Sequence, residues 1–256
     1  MKVVPKTEGV RFDSETKTLD RSHAENEINQ PDKNALEFAL KLKEKNGGDV
    51  ILLSMGPPFF ESYLRLGIAS GADNAFLLSD RAFAGADTYP TSYTLAVAIK
   101  KMGSFDLILC GEESSDASTG QVPPGIAEWL DVPQVTYVTQ LDVLGKVARA
   151  KRSIKGGYEV VETPLPFLAS IELGSNSPRF PDFKRKRWAE KEFKLTVWTA
   201  ADLGVDGGKI GAKGSHTIVE RLEELPKPSR KGEQITGSPE QEAQQILKKM
   251  KEALAN

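Results

Sequence analysis

The sequence predicts a doubly wound α/β fold built around a mostly parallel sheet. Three observations predict it. Short apolar runs at Val50–Leu53, Ala75–Leu78, Phe105–Cys110 and Gln134–Thr139 are each bounded by turn residues. Stretches with helical apolar spacing separate them. Glycine follows most of these elements. Strand and helix alternating in this way belong to parallel sheets covered by helices.

The elements follow in order. Ala35, Leu36, Ala39, Leu40 and Leu42 recur at helical spacing after Asp32, which has the chemistry of an N-cap. Asn46-Gly47-Gly48 ends that helix. Val50–Leu53 is a buried parallel strand running into Ser54-Met55-Gly56-Pro57-Pro58. Phe59 to Ser70 is a helix stopped at Gly71, and Ala75–Leu78 is the next strand. Asp87 to Met102 is a helix with Leu95, Ala98, Ile99 and Met102 on one face. Phe105–Cys110 is a strand, Gln121 to Leu130 a short helix, and Gln134–Thr139 a strand.

The pattern changes after about residue 140. Val143–Ile154 and Tyr158–Glu162 flank Lys155-Gly156-Gly157, a hairpin signal. Phe167–Ile171 follows as a strand, and the group reads as an antiparallel addition to the same sheet. From Gly174 the chain is rich in Pro, Gly, Lys and Arg, and Asp202 to Thr236 reads as an extended arm. Ser238-Pro239-Glu240 opens a final amphipathic helix with Ala243, Ile246, Leu247, Met250 and Leu254 on one face. Such an arm either embraces a partner or packs on its own domain. The division expected is a nucleotide-binding domain over 1–173, then a docking loop, arm and helix over 174–256.

Composition excludes several functions. The formal net charge is −2 over 256 residues, so charge does not point to nucleic acid. Cys110 is the single cysteine, which leaves no internal disulfide and fits a reducing compartment. His23 and His216 lie far apart in sequence, so no metal site is assigned. No run approaches the roughly 18 apolar residues of a membrane span. Met1–Gly9 has no apolar signal core. A cytoplasmic protein without membrane insertion is expected.

In open parallel sheets, ligands bind beyond the carboxyl ends of the strands. Two loops lie there, Ser54–Pro58 and Gly111–Val122. The second reads Gly111-Glu112-Glu113-Ser114-Ser115-Asp116-Ala117-Ser118-Thr119-Gly120-Gln121-Val122. Small residues let backbone approach a ligand, and the following helix start offers N–H groups and partial positive charge to a phosphate. The loop lacks the Walker A lysine and the GxGxxG spacing. An ordinary capped helix start would look much the same. Glu112, Glu113 and Asp116 suit ribose hydroxyls better than phosphate.

The order of several short motifs goes further. Asn34-Ala35-Leu36-Glu37, Ser54-Met55-Gly56-Pro57, Gly71-Ala72-Asp73, Phe105–Gly111, Asp116-x-x-Thr119-x-Gln121-Val122 and Pro133-Gln134-Val135-Thr136-Tyr137 occur in succession. Pro178-Arg179-Phe180 and Asp202-Leu203-Gly204-Val205-Asp206 extend the series. In this order the chain resembles the beta subunit of electron transfer flavoproteins along nearly its whole length. The fold expected is then doubly wound and adenine nucleotide alpha hydrolase-like, with a C-terminal extended arm and helix.

The resemblance implies a heterodimer with a larger alpha subunit that carries the electron-transferring FAD. It implies AMP in this subunit for ordinary members, and a second FAD in the same place for electron-bifurcating members. By position, the nucleotide contacts fall on Asn29, Gln30, Pro31 and Asp32, on Met55, and on Gly111 to Val122. The segment Ser79–Thr88 resembles the bifurcating branch, which favours FAD over AMP and admits NADH as a hydride donor. An acyl-CoA dehydrogenase or a quinone oxidoreductase is the implied redox partner. Phe183 occupies the place of the family's hydrophobic docking anchor. Its rival reading is a solvated basic helix with Phe183 and Trp188 folded inward.

Departures from the family pattern are Asn29-Gln30-Pro31 in place of Asn-Pro, and Glu112, Ser114, Ser115 and Ser118 in the phosphate loop. The sequence opens almost at the Lys-x-Val-Pro segment, so a central strand and part of the adenine pocket are expected to be missing. The rival readings are an ordinary AMP-holding member and an adenine-nucleotide-binding regulatory or hydrolase-like domain. No nucleophile–base pair is evident, so no catalytic residue is assigned.

Overall fold

Helices and strands alternate as expected in a computed structural model that describes residues 1–6, 11–13, 18–20, 25–218, 220, 232 and 234–254. The first unit, Met1–Glu220, opens with β1 (Val3–Pro5), β2 (Arg11–Asp13), β3 (Thr18–Asp20) and β4 (Asn26–Ile28). β1 pairs antiparallel with β4, and β2 with β3. There follow α1 (Gln30–Asn46), β5 (Ile51–Met55), α2 (Glu61–Ser70), β6 (Asn74–Leu78), α3 (Thr88–Met102), β7 (Leu107–Gly111) and α4 (Val122–Leu130). β8 (Gln134–Leu144), β9 (Val147–Ile154), β10 (Gly157–Pro164) and β11 (Phe167–Ile171) come next. α5 (Phe183–Lys191), β12 (Thr196–Trp198), α6 (Ala200–Leu203) and α7 (Gly211–Gly214) complete the unit. The second unit, Arg221–Asn256, carries α8 (Pro239–Leu254).

The strands form two main sheets rather than one. One has the order β12-β6-β5 and is parallel throughout. The other has the order β10-β9-β8-β11-β7. In it β7, β11 and β8 are parallel, while β9 and β10 are antiparallel. Among the described residues β5 has only β6 as a partner strand, and β7 only β11. α1 packs against both sheets with different faces. Leu36, Ala39 and Leu40 meet the cluster of Leu52, Leu64, Ile68 and Leu77. Ala35, Phe38 and Leu42 meet Val138, Phe167, Ala169 and Ile171.

Some sequence expectations need correction. The antiparallel addition is β9 and β10 alone, since β11 is parallel and lies between β7 and β8. All five residues of β11 are buried, as a central strand requires. The expected strand Val143–Ile154 reverses at Gly145, whose φ of +62° suits a tight turn. Asp32 is not the N-cap of α1. The cap position is Asn29, and Asp32 lies in the first turn. The early part of the expected arm is packed in: Leu203 and Ile210 are buried with Leu78, Phe83 and Ala98. Residues 219, 221–231 and 233 of that arm lie outside the described residues. Phe183 is 81% exposed and Trp188 40%, so the helix α5 does not fold both inward. Helix α8 follows Ser238 as expected, and none of its residues is buried.

The segment after β11 is tied to α1 by charge. Arg179 donates to the buried Glu37 through Nε at 2.8 Å, and to Glu44 through Nη1 at 2.5 Å. Burial opposes the charge of Glu37, but the Arg179 bonds outweigh it and hold the carboxyl below the usual range. This contribution is present above the ordinary carboxylate pKa and fades as pH falls through the lowered value. Arg179→Ala is expected to cost about 2 kcal/mol in urea unfolding at neutral pH. That is less than a fully buried pair, because the guanidinium is a third exposed and Lys41 stays 3.6 Å from the carboxylate.

Candidate functional site

The site is built where β7 ends. A Cβ on Gly111 would lie 2.7 Å from Pro31 Cβ and 2.8 Å from the Asp32 nitrogen. Only glycine permits the strand end to sit this close to the first turn of α1. Asp32 exploits the approach. It accepts from the Gly111 N–H at 3.0 Å, the Lys2 N–H at 3.0 Å and Asn29 Nδ2 at 3.1 Å. Asn29, 1% exposed, donates through Nδ2 to the Glu113 carbonyl at 2.8 Å. Its Oδ1 accepts from the Ser115 N–H at 3.2 Å. Lys2 grips the same loop from outside, donating to Ser114 Oγ at 3.0 Å and Asp116 Oδ1 at 2.5 Å. The carboxylate expected to cap a helix instead fastens the loop to it.

The loop then turns on itself. The Ser114 carbonyl accepts from the N–H groups of Ala117 and Ser118 at 3.2 and 2.8 Å. Ser118 and Gly120 adopt positive φ, 46° and 62°. The N–H groups of Thr119, Gly120, Gln121 and Val122 have no acceptor among the described residues. Consecutive free N–H groups in such a turn form an anion-binding concavity. The helix that follows contributes less than expected. Pro123 and Pro124 have no N–H, and Gly125 N–H donates to the Gln121 carbonyl. The N–H groups open to an anion therefore belong to the loop's last residues and Val122. Gln121 is fixed sideways, its Oε1 accepting from Thr88 Oγ1 at 2.9 Å.

Charges in the loop are unequal in effect. Burial works against ionised Asp116, but the Lys2 and Ser114 bonds win and hold it below the ordinary range. Burial raises the pKa of Glu112, and the Glu172 and Glu113 carboxylates add to this against one Leu173 N–H bond. Burial pushes the Cys110 thiol up to about 12, which keeps it protonated and unreactive. Ser54, at the carboxyl end of β5, is 1% exposed, and its Oγ has no partner among the described residues.

The structure therefore brings Asn29, Pro31, Asp32 and the loop Gly111–Val122 together. Two expected residues form no hydrogen bond to the loop among the described residues. Gln30 is exposed and donates to Glu27. Met55 packs against the cluster of Leu78, Phe83 and Ala98. Lys2, Thr88 and Tyr137 also belong to the site's surroundings; each lies in a segment that stands out in the sequence, but none is expected there as a contact. Tyr137 lies within an expected strand, and its position beside Gly120 depends on a break in that strand. The Ser79–Thr88 segment is anchored by Asp87, which caps α3 and accepts from the His216 N–H at 2.8 Å and the Thr217 N–H at 3.0 Å. His216 stacks on Tyr89 at 4.5 Å, while His23 lies outside the described residues. Phe183 is joined by Phe180, 93% exposed, beside Lys184, Lys186 and Arg187. Among the described residues no group of three or more His, Cys, Asp and Glu side chains is placed to hold a metal. No helix there is long and apolar enough to cross a membrane.

Comparison with known proteins agrees on one family. A family model described as the electron transfer flavoprotein domain matches residues 16–203. The chain is 43% identical to an electron transfer flavoprotein subunit beta of Thermoanaerobacterium thermosaccharolyticum, over 98% of this chain and 95% of that one. It is 41% identical to the caffeyl-CoA reductase-Etf complex subunit CarD of Acetobacterium woodii, over 98% and 96%. It is 40% identical to protein FixA of Azotobacter vinelandii, over 93% and 86%.

Proposed function

Because the chain belongs to the electron transfer flavoprotein family, as a beta-subunit type, we propose that it is the smaller subunit of a two-subunit electron carrier and that its own site holds FAD. The observation that carries the reading is the loop Gly111–Val122, fastened by Asn29 and Asp32, with four free N–H groups at its end. The residues fit a nucleotide. Thr119 to Val122 would hold a phosphate, and the acidic loop would take ribose hydroxyls. The FAD, when bound, supplies the electron-accepting ring, and the chain's part is to hold and orient it. Asn29, Asp32 and Lys2 fasten the loop in place.

The likeness to CarD, named as a subunit of a caffeyl-CoA reductase–Etf complex, supports assembly with a redox partner. The Ser79–Thr88 segment, which resembles the bifurcating branch, supports FAD over AMP and an electron-bifurcating role with NADH as donor. Phe180 and Phe183, apolar beside a basic rim, suit docking on an acidic redox partner such as an acyl-CoA dehydrogenase or quinone oxidoreductase. The deciding experiment co-produces this chain with its larger subunit and counts released cofactors by absorbance and mass spectrometry. Two flavins per heterodimer support the proposal. One flavin plus AMP replaces it with the ordinary AMP-holding carrier. A chain that stays soluble and monomeric without a partner and carries no flavin favours an adenine-nucleotide-binding regulatory domain.

The charge of Glu112 gives a finer expectation. As pH falls through its raised pKa the carboxylate is neutralised, so repulsion of the phosphates falls. FAD affinity is expected to rise about threefold toward lower pH, the size of a partly screened charge effect. Glu112→Gln should bind at pH 7 as tightly as the wild type does at low pH, and lose the pH dependence in a fluorescence titration.

A further inference from the structure

Three non-glycine residues among those described have positive φ: Ser118, Asp131 and Tyr137. Asp131 closes α4 as its left-handed cap, a common place for aspartate. Ser118 belongs to the loop turn. Tyr137 is unlike either. It sits inside β8 with φ 57°, where a bulky side chain is disfavoured. The ladder is broken around it, with register shifts between Ala169 and Ile171 against β8 and between Val138 and Gln140 against β9. Such a bulge re-aims a side chain.

The conformation is held from both sides. The Thr136 carbonyl accepts from Arg152 Nε at 3.0 Å, and Thr136 Oγ1 accepts from Arg152 Nη2 at 2.9 Å. The Tyr137 N–H donates to the buried Ser170 Oγ at 3.2 Å. A backbone strain sustained by this many partners is typical of functional positions. Its result is that the phenol stands beside the loop. A Cβ on Gly120 would lie 3.7 Å from the Tyr137 hydroxyl. Gly120 is the second of the four residues whose N–H groups lack acceptors. The hydroxyl has no hydrogen-bond partner among the described residues, and Tyr137 is 42% exposed.

We propose that Tyr137 is a phosphate-binding residue of this site. Its hydroxyl donates to the same phosphate oxygens that the N–H groups of Thr119 to Val122 collect. The bulge in β8 exists to bring it there. The proposal rests on the reading of the loop as a nucleotide site and adds a side-chain donor from a different strand.

The test measures binding of AMP and of adenosine to the full-length chain and to Tyr137→Phe. Calorimetry and ligand-observed NMR follow both ligands, and thermal melting checks the fold. Phenylalanine keeps the ring and removes only the donor. The expected result is a loss of AMP affinity of about tenfold or more, the effect of one hydrogen bond to a charged group. Adenosine binding and the melting temperature should hardly change. Equal AMP affinity in both proteins overturns the proposal and leaves the nucleotide site standing. Equal losses for AMP and adenosine overturn it in favour of a ring contact. A wild-type chain that binds neither AMP nor FAD overturns the nucleotide reading and this proposal with it.

Discussion

Asn29→Ala is expected to cost about 3 kcal/mol of stability and most of the nucleotide affinity. The side chain is buried, and three groups depend on it. The Glu113 carbonyl and the Ser115 N–H lose their partners, and Asp32 loses one of three donors. Leaving a buried polar group unpaired costs about 1–3 kcal/mol; these two bonds are partly buried, so each loss lies toward the lower end, and with the weakened Asp32 they exceed the effect of an ordinary surface change. Asn29→Asp should not rescue the site, since a carboxylate cannot donate and would face Asp32. Urea unfolding reads the first effect, and titration with AMP reads the second. Unchanged unfolding would show that the clamp does not carry the loop.

Gly111→Ala is expected to do more damage, about 3–4 kcal/mol, by overpacking and by breaking the bond to Asp32 together. The added methyl meets Pro31 and the Asp32 nitrogen, which are the first turn of a helix and have no rotamer to change. Either β7 or α1 must shift, and the Gly111 N–H then leaves Asp32. Gly207→Ala serves as the comparison. Nothing lies within 4 Å of its added Cβ, so a change within about 0.5 kcal/mol is expected. The two variants compared by thermal melting and by AMP binding separate loss of the site from a general loss of glycine.

The parts of this architecture that local pattern governs were legible in the sequence. Leu107–Gly111 and Phe167–Ile171 are apolar runs closed by turn residues, and both are strands. The helix expected over Asp87 to Met102 is present as α3, with Asp87 as its cap. Where the outcome depends on distant partners, residue type misleads. Asp32 has cap chemistry, yet Gly111 and Lys2, remote in sequence, take its oxygens. Neither the insertion of β11 between β7 and β8 nor the division into two sheets is a local property. Tyr137 lies in a stretch rich in strand-forming residues, which hides its left-handed backbone. The two prolines after Val122 did carry a signal, since proline removes the very donors a helix start would supply.

The division between β5 and β7 has a dynamic consequence. Among the described residues no ladder of main-chain bonds joins the two sheets, so the coupling between them seen there passes through side chains. The links are two helices: α1, whose opposite faces bury Leu40 with one sheet and Ala35 with the other, and α3, which buries Ala98 with Leu78 and Ile99 with Leu168. Amide protons of β6 and of β11 therefore belong to separate opening units in hydrogen exchange. The first turn of α1 also holds the loop Gly111–Val122. An occupied site thus braces one of the helices that couple the two sheets, and slowed exchange in both sheets is the expected signature of a filled site.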